Sequence, residues 1–185
     1  MFTERFYQAA REKQVHFFGN VVDIDLFGWY EFNRLLYNSP KEMTVWNNQN
    51  KRVQLQQLEN RSSSPSFSKK IHSNLKSIFY ENYISLIAFA GFDNDHKSFK
   101  VHRDLMDVLY VQVLGSIEWS IWDSSTQHDE FLPESGIGKQ VWKQTMIPGD
   151  AIWIPRGTFH HIHPLSGRVG FSYGIEKLPD PASYI

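Results

Sequence analysis

Pro148-Gly149-Asp150-Ala151-Ile152-Trp153-Ile154-Pro155-Arg156-Gly157-Thr158-Phe159-His160-His161 is the stretch on which this chain turns. Pro-Gly-Asp is a turn sequence, because proline presets φ, glycine reaches conformations closed to other residues, and aspartate bonds nearby backbone. The four residues after it, apolar and in part β-branched or aromatic, form a run too short for a helix and suited to a buried strand. Pro155-Arg156-Gly157 then makes a second turn, positioned to present His160 inward.

Working outward, the same grammar repeats. Residues 83–90, 99–102, 108–114, 118–122, 141–146 and 169–175 each read as a short strand, with Gly115 closing the third and clean alternation in Glu118-Trp119-Ser120-Ile121-Trp122. Many short strands separated by turns indicate a sandwich or barrel. The first 80 residues read differently. Residues 3–14 predict a polar helix and 17–22 a strand. Asp23 or Asp25 predicts the cap of a second helix, in which Trp29, Phe32 and Leu35/Leu36 fall at helical spacing before Asn38-Ser39-Pro40 ends it. Residues 44–58 predict a strand or two around Asn47-Asn48-Gln49-Asn50, residues 60–66 a loop, and 69–79 a third helix. The expectation is a single domain over 1–185: mainly β, with a barrel core at 83–176 and a flanking region at 1–80 that is helical with some strand.

Composition narrows the function. With 185 residues, 41% hydrophobic and 15% aromatic, the chain is long and apolar enough for a real core. Nineteen basic and 20 acidic residues give a formal net charge of −1, with no basic field for nucleic acid or an anionic membrane. The absence of cysteine excludes disulfides, zinc–thiolate sites and a thiol nucleophile. The charged N-terminal stretch and the lack of an apolar run approaching ~20 residues predict a soluble, cytoplasmic protein.

One constellation carries chemistry. In Val101-His102-Arg103-Asp104, positions 102 and 104 share a face of an extended strand, so an imidazole and a carboxylate can reach one ion. With His160 they make a two-histidine, one-carboxylate set, which leaves three positions of an octahedral Fe(II) open. The competing reading of His102 and Asp104 is an exposed charged pair at a strand end.

The surrounding residues resemble a known family. His102-Arg103-Asp104, Asp107-Val108, Gln112-Val113-x-Gly115 and Trp119 are similar to the first half of the JmjC/cupin-like oxygenase core. Pro148 to His161 is similar to the second half, and Phe171-Ser172-Tyr173-Gly174-Ile175 to the strand after it. Within the family the pattern is that of ribosomal-oxygenase-like, cupin-like proteins, over about residues 83–176. The resemblance implies a double-stranded β-helix (a jelly roll), Fe(II), and 2-oxoglutarate as cosubstrate. It implies hydroxylation of a C–H bond in a protein side chain or small molecule, with release of succinate and CO2. It assigns His102, Asp104 and His160 as the metal and catalytic residues. His161 and His163 are alternatives, for which a packed or solvent-facing imidazole is the plainer reading. Arg103, between the ligands, points to the opposite face and is structural.

The chain departs from the family at Ile117, where a Lys or Arg normally pairs with the distal carboxylate of 2-oxoglutarate. A buried carboxylate needs a cationic or multiply bonded partner. Arg168 is the replacement expected here, because Arg168, Gly170 and Ser172 share one strand face. Tyr110 is a further cofactor-binding candidate, with Tyr83 and Tyr173 as other possible donors. Ile117 also keeps open a second reading, a metal-binding cupin that does not use 2-oxoglutarate.

Overall fold

Period-two burial sorts the chain into two sheets. The computed structural model describes residues 4–24, 26–93, 95–123 and 138–177. In chain order these form α1 (Glu4–Glu12), β1 (His16–Phe18), α2 (Trp29–Tyr37), β2 (Thr44–Asn47), β3 (Arg52–Leu55), α3 (Ser66–Ile78), β4 (Asn82–Gly91), β5 (Asp107–Leu114), β6 (Ile117–Asp123), β7 (Lys139–Met146), β8 (Ala151–Ile154), β9 (His160–Pro164) and β10 (Arg168–Lys177). The larger sheet has the order β1-β8-β5-β10-β4-β3-β2, the smaller β7-β6-β9, and every pairing is antiparallel. This is the jelly roll expected from the sequence.

The central strands β5, β8 and β10 of the larger sheet are largely buried on both faces, which is why they read as nearly continuous apolar runs. Ile84, Leu86, Ala88 and Ala90 of β4, Leu109, Val111 and Val113 of β5, and Val169, Phe171, Tyr173 and Ile175 of β10 join one core with Phe6, Phe32, Phe67, Ile71 and Leu75 of the helices. The alternate residues turn into the barrel. There Val108, Tyr110, Ile152 and Ile154 meet Ile117, Trp119 and Ile121 of the smaller sheet. Ile117, fully buried, is part of this inner cluster.

The opening stretch behaves as its residues require. Gly149 sits at φ +95, and the buried Asp150 carboxylate accepts from Asn20 N at 2.8 Å and Ile147 N at 2.9 Å. Gly157 sits at φ +81 and donates to the Asp104 carbonyl at 2.9 Å, while Arg156 N donates to Asp107 Oδ1 at 2.7 Å. The second turn therefore fastens itself to the segment that carries Asp104.

Three expectations are corrected, and one strand was not foreseen. Residues 99–102 are not a strand: His102 makes one isolated bridge, to His160, and the rest of the segment is held by side chains. Conversely, His160–Pro164 is a strand, although its three histidines hide any apolar alternation. The strand expected over 17–22 stops at Phe18, because Val21 and Val22 both donate to the Gly149 carbonyl instead of a sheet neighbour. Helix α2 starts after Gly28, whose N–H is taken by Glu31 at 2.8 Å, so Asp23 does not cap it; Asp25 lies outside the described residues. Among the described residues no helix is long and apolar enough to cross a membrane.

Candidate metal and cosubstrate site

His102 and His160 are brought together by their own backbones. Each N–H donates to the other's carbonyl, at 3.1 and 2.8 Å. The ring centroids lie 4.4 Å apart. Asp104 closes the group, its Oδ2 3.5 Å from His160 Nε2 and its Oδ1 3.9 Å from His102 Nε2. One donor atom from each of the three residues lies within 4.8 Å of the others.

The imidazoles are set in the form that a metal needs. His102 Nδ1 lies 2.8 Å from the Lys100 carbonyl and His160 Nδ1 2.9 Å from that of Thr158. A carbonyl only accepts, so each Nδ1 carries the proton and each Nε2, facing Asp104, keeps its lone pair when the ring is neutral. Burial pushes His160 down to about 3, and His102 beside it adds to the shift, so His160 is neutral at physiological pH. Trp119 packs against His160 and Phe99 against His102, with centroids 5.3 and 5.5 Å apart.

The three residues open onto a cavity of about 290 Å³. Its walls are largely apolar, with Gln54, Ser85 and Ser172 as neutral polar groups. Among its described lining residues Asp104 is the one carboxylate and Arg168 the one guanidinium.

Arg168 is 4% exposed, and all its partners are neutral. Nη1 donates to the Tyr110 hydroxyl at 2.9 Å, Nε to His96 Nε2 at 3.1 Å and Nη2 to Ser98 Oγ at 3.3 Å. Tyr110 donates in turn to Gln112 Oε1 at 3.0 Å. Burial raises the Tyr110 pKa, keeping the hydroxyl a donor. Gly170 makes this possible, since a Cβ there would overlap the Tyr110 hydroxyl. Among the described residues no carboxylate pairs with Arg168. A guanidinium so placed is costly unless an anion joins it.

The remaining candidates separate cleanly. Ser172 lines the cavity, paired across the sheet with Tyr110. Tyr83 is exposed and donates to Glu59, and Tyr173 points into the helical core toward the Ser68 carbonyl, so neither serves the cavity. His161 and His163 occupy strand positions opposite Ser120 and Glu118, and His163 is exposed. Arg103 turns away, its guanidinium 5.5 Å over the Phe159 ring. Sequence reasoning missed His96 and Ser98, which orient Arg168. Both lie in a polar segment whose spacing gives no hint of a role.

The sequence profile of the JmjC domain family matches residues 52–180. No curated protein matches the chain by sequence. The ribosomal oxygenase YcfD from Escherichia coli, solved in complex with cobalt and 2-oxoglutarate, superposes with a TM-score of 0.71 at 14% identity, covering 100% of this chain and 54% of that one. The same protein with cobalt and succinic acid gives 0.69 at 14% identity, covering 98% and 54%. The non-heme α-ketoglutarate-dependent carbocyclase SnoK from nogalamycin biosynthesis gives 0.65 at 10% identity, covering 95% and 84%. The chain spans about half the length of the ribosomal oxygenase structures, and at these identities the likeness is one of fold.

Proposed function

The chain belongs to the JmjC domain family, and on that premise we propose that it is an Fe(II)- and 2-oxoglutarate-dependent oxygenase that hydroxylates a C–H bond. The observation that carries the cosubstrate is Arg168, a buried cation with only neutral partners in the same cavity as the His–Asp–His group. His102 Nε2, His160 Nε2 and an Asp104 oxygen would hold the ion. Arg168, oriented by Tyr110, would take the distal carboxylate, with Ser172 on the same wall. The chemistry that iron supplies when bound is the coupling of O2 reduction to decarboxylation of 2-oxoglutarate, yielding succinate, CO2 and a hydroxylated substrate. The apolar walls exclude water from the reacting bond, and the fixed Nδ1 protons keep the ligands from turning.

The whole of 1–185 is read as one domain, with the helices covering the outer face of the larger sheet. The substrate is a protein side chain or a small molecule, since a cavity of about 290 Å³ admits either. A cytoplasmic setting follows from the sequence expectation.

The test is binding before turnover. Titration of 2-oxoglutarate into the Mn(II)-loaded protein should give saturable binding, lost in His102→Ala and Asp104→Ala because both lose the metal. Metal binding with no affinity for 2-oxoglutarate would favour instead the cupin that does not use this cosubstrate, the reading that Ile117 in the core keeps alive.

A further inference from the structure

The segment between β4 and β5 carries two of the three candidate ligands, yet among its described residues a single isolated bridge ties it to a sheet. A few backbone bonds, Gly157 N to the Asp104 carbonyl among them, and several side chains hold it instead. His96 is 3% exposed, and its ring lies over Gly91, where any Cβ would overlap the imidazole. Its Nδ1 faces the Asp93 carbonyl, so Nδ1 bears the proton and Nε2 is left as a bare acceptor. That Nε2 receives Arg168 Nε, and Ser98, two residues on, receives Arg168 Nη2. Lys97 N donates to the Asn50 carbonyl at 3.0 Å. Phe99 lies 3.8 Å beneath the Arg52 guanidinium and packs on His102.

Arg168 and the ligand-bearing segment therefore share one contact group. We propose that His96 is a positioning residue: seated on Gly91 and bonded to Arg168, it sets both the aim of that guanidinium and the course of the segment that delivers His102 and Asp104. The inference rests on the metal and cosubstrate reading above. A neutral imidazole suits this task better than a carboxylate. It orients Arg168 without cancelling the charge that draws an anion, whereas an aspartate or glutamate would do both. Burial, reinforced by the Arg168 charge, holds His96 neutral. Because one ring steadies both sites, metal and 2-oxoglutarate binding are coupled through it, each strengthening the other.

Three variants of the full chain separate acceptor from packing. Mn(II) affinity would be measured alone, 2-oxoglutarate affinity with Mn(II) present, and folding by thermal unfolding. His96→Phe keeps a ring on Gly91 but no acceptor, and should lower 2-oxoglutarate affinity about tenfold or more, as loss of an orienting partner does. His96→Gln keeps an acceptor and should stay within roughly threefold of wild type. Gly91→Ala pushes the ring off its seat and should weaken both Mn(II) and 2-oxoglutarate binding with residue 96 unchanged. Folded His96→Phe and Gly91→Ala proteins with wild-type affinities would overturn the proposal, as would a His96→Gln as weak as His96→Phe. A wild type that binds Mn(II) but not 2-oxoglutarate would defeat the cosubstrate reading instead, leaving the Mn(II) arm to decide the role of His96.

Discussion

Arg168 gathers its donors around one open need, a negative charge. Its replacement by alanine should lower 2-oxoglutarate affinity by roughly 10²-fold or more, as when one member of a buried charge pair is removed. Arg168→Lys should recover only part of this, because an ammonium cannot reproduce the planar fork that now spans Tyr110, His96 and Ser98. Calorimetric titration decides, and an alanine variant that binds as wild type removes Arg168 from the site. His160 supplies a second prediction. Its folded pKa is depressed to about 3, while the unfolded group titrates near its ordinary value of ~6.5. Between those values the unfolded chain binds the extra proton, so the metal-free protein should lose stability as pH falls through that window, by up to ~1.4 kcal/mol per pH unit. Urea unfolding at pH 7 and pH 5 should show a steeper loss for wild type than for His160→Gln. Equal losses would contradict the assigned neutral state.

At the scale of elements, β10 does two jobs by alternation. Its odd positions fill the helical core and its even positions furnish the cavity. Gly170 is an even position with no room for a side chain, because the Tyr110 hydroxyl occupies that space. Gly170→Ala should cost ~1–3 kcal/mol of stability by overpacking and, by displacing Tyr110, weaken 2-oxoglutarate binding as well. Loss of stability without loss of binding would separate Tyr110 from the cosubstrate.

Strands of this kind were legible in the sequence because apolar residues recur with period two or fill both faces. The three candidate ligands were legible as donor-bearing residues, and the structure brings their donor atoms within 4.8 Å of one another. Two elements were not. Residues 99–102 carry the apolar residues of a strand, but the one large aromatic, Phe99, packs on Arg52, Phe89 and His102 rather than across a sheet. In β9 the buried face bears His160, so the candidate metal ligand on the strand also erases its apolar pattern. His96 was invisible because its role depends on a missing side chain at Gly91 and on a guanidinium far along the chain.

Across the whole molecule, the N-terminal helices and the barrel share one core. Phe6 of α1, 1% exposed, meets Trp153 of β8 edge-on at a centroid distance of 5.4 Å, and Phe79 stacks on the same indole. Trp153 lies on the strand at the centre of the opening stretch, so α1 buttresses the sheet behind the site. Phe6→Ala should therefore destabilise the protein by ~3–5 kcal/mol and report through tryptophan fluorescence on unfolding. A wild-type midpoint would mean that α1 is only loosely docked.

Electrically, the cavity is balanced until an ion enters it. Among its described lining residues one carboxylate, Asp104, offsets one guanidinium, Arg168, so a divalent ion added to them would leave a surplus of two positive charges. A dianion restores neutrality, a monoanion strands one charge against apolar walls, and a cationic substrate group would find nothing to offset it. A chamber so loaded would sort its visitors by valence before it sorted them by shape.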